Sequence, residues 1–266
     1  MTFGINDFFN QGIIGKIFNF NPSSWASPEA WGALDSWALT WIIVSIVATV
    51  IAAYLLGSIN FAIIISGKTY KQDIRNFGSK HAGMTNMMRT YGKKAAALTL
   101  GGDALKAILS CLLGYTLLGQ FGAYIGGLFC ICGHVFPIFY GFKGGKGVVT
   151  AAATILMCDP FIFVILLLMF IIIVAFTRFI SLGSVMCMLI YPLLLSMISE
   201  FANAVVWGKQ LPSPYVIFPI FMMLIIVSKH WANIKRLLNG TESKFSFKKS
   251  VKATEENKES SVENNQ

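Results

Sequence analysis

Charge is scarce in this chain. Only 12% of its 266 residues are Asp, Glu, Lys or Arg, while 55% are hydrophobic. A soluble domain carries roughly 25% charged residues, so the composition points to an integral membrane protein. Metal ligands are equally sparse. The three histidines and 12 acids are scattered, with no metal-ligand spacing, and no metal or other cofactor is expected. The five cysteines, Cys111, Cys130, Cys132, Cys158 and Cys187, lie within or at the ends of apolar runs. They read as small buried hydrophobes, which leaves no disulfide framework. The start of the chain lacks the basic segment and compact apolar core of a signal peptide. A net charge of +9 does not imply a nucleic-acid partner, because the basic residues fall beside apolar runs.

Those runs are what the chain has in abundance. Spans of about 20 apolar residues cross a bilayer. The pattern predicts them at about 38–66, 95–118, 121–140, 161–176, 182–198 and 215–228, with a bend expected at 55–60. Residues 148–158 are apolar but short, and read as a sunken helix protected by its neighbours. The expected fold is therefore an all-α integral membrane protein with seven transmembrane helices, one of them short, and polar loops on one face. Residues 1–37, rich in Phe, Asn and Trp, read as a peripheral N-terminal extension. Residues 38–243 form the membrane domain, and 244–266 read as a disordered tail. With seven helices, 18 of the 21 Lys and Arg residues fall on one side. The positive-inside rule then places the C-terminus in the cytoplasm and the N-terminus outside.

Between two spans lies Gly141-Phe142-Lys143-Gly144-Gly145-Lys146-Gly147. Glycine lets amides turn toward one centre, lysine adds a mobile charge, and a helix N-terminus follows. An anion site and a loop touching lipid headgroups both fit. The pattern lacks the Ser or Thr that would follow the lysine of a Walker A loop, so nucleotide hydrolysis is disfavoured. Other polar groups share the same face. Ser79, Thr85 and Asn86 can fix ligand oxygens, and Arg89 can grip a phosphate with two parallel hydrogen bonds. Asp103 and Lys106 stand at i, i+3 inside a span and read as a structural pair bracing the loops. His134 reads as a structural histidine holding the loop. Ser181 reads as a helix cap. His230 and Asn233 share one helix face.

Taken together, these motifs resemble the PlsY family of glycerol-3-phosphate acyltransferases. The matching text is Gly57-Ser58, Asp73-Ile74-Arg75, Gly78-Ser79, Gly83-Met84-Thr85-Asn86 to Arg89, and Gly92-Lys93-Lys94. It continues with Asp103 and Lys106, Gly133-His134 through Gly147, and His230 to Glu242. The resemblance implies acyl transfer from acyl-phosphate to the sn-1 hydroxyl of glycerol 3-phosphate at the cytoplasmic face of a cell membrane. It further implies functional coupling to an enzyme that forms acyl-phosphate. It assigns catalytic and binding roles to Ser79, Arg89, Lys146, His230 and Asn233. Further substrate contacts are expected from Thr85, Asn86, Lys143, Gly144, Gly145, Gly147 and Ser184, with support from Asp103, Lys106 and His134. Where the family commonly reads Gly-Ser-Gly-Asn, this chain has Gly78-Ser79-Lys80-His81.

No histidine is followed five residues later by an acid: Asn86, Phe139 and Lys235 stand there. Catalysis by positioning and charge neutralisation is therefore expected, with a donor phosphate oxygen taking the proton. His230 as general base is the rival. The rival class is an organic-phosphate transporter, which predicts an internal repeat and a polar path through the membrane. Neither is visible in the sequence.

Overall fold

A computed structural model describes residues 36–207 and 214–245, together with Ile13. The peripheral segment expected over 1–37 lies almost wholly outside the described residues, as does the tail beyond residue 245. The described residues are helical with no strand. The helices are α1 (Ser36–Ser58), α2 (Phe61–Tyr70), α3 (Met84–Tyr91), α4 (Lys93–Val135), α5 (Val148–Cys158), α6 (Pro160–Thr177), α7 (Ile180–Trp207), α8 (Ile217–Lys229) and α9 (Trp231–Leu238).

The expected bend in the first span falls at Ser58–Asn60. There Asn60 caps α2, its side-chain oxygen accepting from the Ile63 amide at 3.2 Å. The break is held from two sides. Lys106 Nζ donates to the Gly57 and Ile59 carbonyls at 2.9 and 2.6 Å, and the Tyr54 hydroxyl donates to the Phe136 carbonyl.

Helix α4 is a hairpin. Its backbone leaves helical geometry at Leu118 and at Gly119, whose φ of +61° suits glycine. The two legs then run back along each other. A Cβ on Gly114 would strike the Gly122 carbonyl, and one on Gly122 would strike that of Gly114. Such backbone contact replaces the hydrophobic effect as the source of packing inside a bilayer. The apolar runs expected at 95–118 and 121–140 fall on these legs, the second of which ends at Val135.

Helix α5 has 11 residues and is about 16 Å long at 1.5 Å per residue. That falls short of a hydrocarbon core of about 30 Å. Its Thr150, Ala151, Thr154 and Ile155 are buried, so neighbours shield it as expected. Beyond it, Asp159 accepts hydrogen bonds from the Tyr124 hydroxyl at 2.7 and 2.8 Å and from the Tyr191 hydroxyl at 2.6 Å. Helix α6 is apolar all round and largely exposed, as a lipid-facing helix must be. The main core joins Ile42, Leu118, Tyr124, Ile131, Tyr191 and Met222.

Four helical stretches, Ser36–Tyr70, Lys93–Tyr140, Pro160–Thr177 and Ile180–Ser199, are long and apolar enough to cross a membrane. Pairing α8 with α9 across their 60° bend gives a fifth.

Candidate active site

Four segments meet at the N-terminal end of α5: the loop 141–147, the loop 73–83, the α6–α7 turn, and α9 with the residues after it. Arg75 ties the first two. Its guanidinium pairs with Asp73 at 2.7 Å and reaches the Tyr140 and Lys143 carbonyls at 2.9 and 3.3 Å. The hydrogen bonds from Arg75 hold the Asp73 carboxyl below its usual range.

The glycine–lysine loop is partly self-satisfied. The amides of Phe142, Lys143 and Gly145 donate to the carbonyls of Pro137, Tyr140 and His134. Among the described residues, the amides of Gly144, Lys146 and Gly147 make no hydrogen bond. They lead into the first turn of α5, whose orphan N–H groups favour an anion. The cradle expected from the sequence is thus narrower than seven residues. Lys143 is exposed, with its backbone used by Arg75.

Lys146 crosses to α9, donating to Asn233 Oδ1 at 2.6 Å. Asn233 Nδ2 donates to Glu242 Oε1 at 2.7 Å. That carboxylate also accepts from the Ser181 hydroxyl and from Arg236 Nε, both at 2.7 Å. Burial would raise the Glu242 carboxyl, but donation from Asn233, Ser181 and Arg236 outweighs it and holds the carboxyl low. Burial draws Lys146 down to about 8. Glu242 opposes that shift, while Arg236 and Arg89 add to it.

His230 sits at the bend between α8 and α9, buried, with Nδ1 2.8 Å from the Ile226 carbonyl. Nδ1 therefore carries the proton and Nε2 presents a lone pair. Burial lowers this imidazole to about 4, against the Ile226 bond and with help from nearby Lys146. His81 stands in the same field. Burial lowers it first, then Lys146, Lys229 and Arg236.

Arg89 projects from the last turn of α3 and donates to the Ser243 hydroxyl at 3.1 Å, so it reaches the same returning segment. The Ser79 amide donates to Asn86 Oδ1 at 3.1 Å. Asn86, expected to bind substrate, instead spends its amide on its own loop, donating to the Ile74, Phe77 and His81 carbonyls. Thr85 lies partly exposed in the first turn of α3. Ser184, the serine favoured over Ser181, turns its hydroxyl to the Ile180 carbonyl at 2.9 Å and is buried. Ser181 is the serine that joins the Glu242 network. The sequence carried a signal for Glu242, an acid shortly after the Asn239-Gly240 turn, but not for its return to α9.

Lys106 lies 3.0 Å from Asp103 Oδ1 and 3.0 Å from His134 Nδ1, all three buried. The Asp103–Lys106 pair expected from the i, i+3 spacing is formed. It holds His134, whose carbonyl accepts from the Gly145 amide at 3.1 Å. Among the described residues no group of His, Cys, Asp or Glu could hold a metal ion.

Residues 47–240 match the family model described as glycerol-3-phosphate acyltransferase. A glycerol-3-phosphate acyltransferase of Thermoanaerobacter pseudethanolicus is 39% identical over 206 residues, covering 77% of this chain and 98% of the relative. One from Finegoldia magna is 40% identical over 197 residues, covering 73% and 93%. A crystal structure of PlsY, an integral membrane glycerol 3-phosphate acyltransferase in its glycerol 3-phosphate form, superposes with a TM-score of 0.64 at 35% identity. That match covers 76% of this chain and 96% of PlsY. The form with lysophosphatidic acid gives 0.62 at 33%. With its long apolar helices and these relatives, the chain is a multi-pass membrane protein that belongs to the PlsY family of glycerol-3-phosphate acyltransferases.

Proposed function

We propose that this chain transfers a fatty acyl group from acyl-phosphate to the sn-1 hydroxyl of glycerol 3-phosphate, releasing lysophosphatidic acid and phosphate. The observation that carries the reading is the Lys146–Asn233 bond. It joins the glycine–lysine loop to α9, with Arg89, Ser181 and His230 on the elements around it.

Both substrates are phosphate anions, and the site is rich in cations and free amides. Lys146, Arg89 and the amides of Gly144, Lys146 and Gly147 bind and orient the phosphates. Ser79 and Asn233 supply neutral hydrogen bonds beside them. The neutral His230, with Nε2 free, accepts a hydrogen bond from the neighbouring hydroxyl of glycerol 3-phosphate and so orients the sn-1 hydroxyl, whose own proton faces the donor phosphate. The hydroxyl oxygen attacks the acyl carbonyl carbon, a new C–O bond forms, and the bond from that carbon to the phosphate oxygen breaks. The hydroxyl proton passes to an oxygen of the departing phosphate. An imidazole lowered to about 4 is a weak base, which supports positioning over proton abstraction by His230. Phosphate is a good leaving group, so orientation and charge neutralisation carry the catalysis.

In this reading the two legs of α4, the short α5 and four further helices make seven crossings. The site opens to the cytoplasm and the N-terminus lies outside, as the charge bias requires. Residues 38–243 are the catalytic domain, and 1–37 and 244–266 are appendages to it. An enzyme that forms acyl-phosphate must supply the donor.

The test is phosphate release from palmitoyl-phosphate by the purified full chain, with and without glycerol 3-phosphate. Release that depends on glycerol 3-phosphate and yields lysophosphatidic acid is expected. Transfer from acyl-CoA but not from acyl-phosphate overturns the donor assignment. No transfer from either donor overturns the enzyme reading.

A further inference from the structure

We propose that His134 is a substrate-binding residue, offering a fixed Nε2–H donor to a substrate phosphate at the seam between the loops 73–83 and 141–147. The proposal deepens the acyl-transfer reading and rests on it for the identity of the anion.

Lys106 fixes the protonation of the imidazole beside it. Its ammonium has three N–H groups. Four acceptors lie around Nζ: the Gly57 carbonyl at 2.9 Å, the Ile59 carbonyl at 2.6 Å, His134 Nδ1 at 3.0 Å and Asp103 Oδ1 at 3.0 Å. Two N–H groups go to the carbonyls. The third points between the imidazole and the carboxylate. Asp103 Oδ1 has no hydrogen bond of good geometry, so the carboxylate serves as an ion-pair partner and the imidazole as the acceptor. A proton on Nδ1 would face an ammonium proton across 3.0 Å, and Asp103 at 3.6 Å is too far to take it. His134 is therefore neutral, with its proton on Nε2.

That proton is aimed at the loop. A Cβ on Gly145 would collide with His134 Nε2 and with the Ala82 carbonyl oxygen. The Nε2 edge of the ring thus lies against the bare α-carbon of Gly145, where the two loops touch. Glycine is needed here because any side chain would occupy the ring's edge. His134 is 4% exposed, and its hydrogen bond to a described residue is the one at Nδ1. Among the described residues the sealed, unpartnered side-chain polar atoms are Asn60 Nδ2 and Asp103 Oδ1, so Nε2 is not walled in, and its N–H is a donor open to an entering acceptor. The free amides of Gly144 and Lys146 flank Gly145, and Lys146 supplies the charge. An incoming phosphate oxygen satisfies all of them.

The buried Asp103–Lys106 pair then has a purpose beyond bracing. It fixes a tautomer, and a neutral donor adds a directed hydrogen bond without adding charge. Asp103, Lys106 and His134 form one unit spanning both legs of α4.

Two conservative variants separate binding from support. His134→Gln places an amide N–H near the Nε2 position, while His134→Asn keeps a group near Nδ1 and removes the distal donor. Steady-state kinetics with palmitoyl-phosphate and glycerol 3-phosphate are expected to show KM within threefold for His134→Gln. A KM raised at least tenfold for His134→Asn is expected, with kcat within threefold. The substrate whose KM rises owns the phosphate: glycerol 3-phosphate or the acyl donor. Equal losses in both variants, or a loss confined to kcat, overturn the proposal. If either variant fails to fold, 15N spectra of the native chain labelled at histidine decide. An unprotonated Nδ1 and an Nε2–H resonance that moves on adding glycerol 3-phosphate or palmitoyl-phosphate support it. A protonated Nδ1, or an Nε2–H that moves with neither, overturns it. Because this readout needs no turnover, a chain that binds glycerol 3-phosphate without transferring an acyl group defeats the reaction assignment and leaves the donor intact.

Discussion

Helix α5 has a carboxylate associated with each end, and the two are built differently. Asp159 follows its last residue and accepts from two tyrosine hydroxyls. Glu242 lies one amide away from the lysine that precedes its first residue, and accepts from a hydroxyl, an amide and a guanidinium. Around Asp159 the donors are rigid aromatics anchored in the core, with Tyr124 stacked on Tyr215 and Phe218. Around Glu242 two donors, Asn233 and Arg236, stand on the eight-residue α9, and the third, Ser181, stands in the first turn of α7. The first arrangement is a rivet between helices. The second holds the orientation of Asn233 and opposes the loss of charge that burial imposes on Lys146, so it serves a site rather than the bundle.

The comparison predicts separable effects. The largest belongs to the site: Lys146→Met is expected to lower kcat/KM by about 100–1000-fold, read as glycerol 3-phosphate-dependent phosphate release, with the unfolding temperature little changed. Next, kcat/KM of the native chain should fall as pH rises through about 8, because the free Lys146 ammonium is lost there and anion binding weakens. Glu242→Gln removes the group that opposes that lowering, so the alkaline limb should move to lower pH, with about a tenfold loss in kcat/KM at neutral pH. A limb that stays in place would break the link between Glu242 and Lys146. At the other end, Asp159→Ala strands two buried hydroxyls and is expected to cost about 2–3 kcal/mol of stability in thermal unfolding, with both KM values unchanged. The smallest effect is that of Tyr191→Phe, about 1–2 kcal/mol by the same measurement.

The rivet and the site also differ in how far the sequence disclosed them. Apolar runs reported the helices well, because a span is a local property of about 20 residues. The turn of the α4 hairpin and the bounds of α5 were both legible, since glycine, Asp159-Pro160 and the end of an apolar run punctuate them. The Asp103–Lys106 pair was legible because its members share one helix face. What the sequence concealed depends on chain reversal. Ser181 and Glu242 are 61 positions apart and meet only because the segment after Gly240 folds back over α9. Asn86 had the composition of a ligand-binding group, yet its geometry makes it the organiser of a loop. Ser181 and Ser184 differ by three positions, and only the helix direction decides which of them turns to Glu242.

The tight reversal at Leu118–Gly119 has a consequence for how the chain enters its bilayer. No loop separates the legs, so neither can pause at the interface while the other is inserted. The first leg carries Asp103 and Lys106 near its middle, and charged residues there disfavour insertion by roughly 3 kcal/mol each. Their partner His134 stands on the second leg, as does Gly122, which packs against Gly114 of the first. The two legs are therefore expected to leave the insertion machinery as one hairpin, its charges already matched before lipid surrounds it.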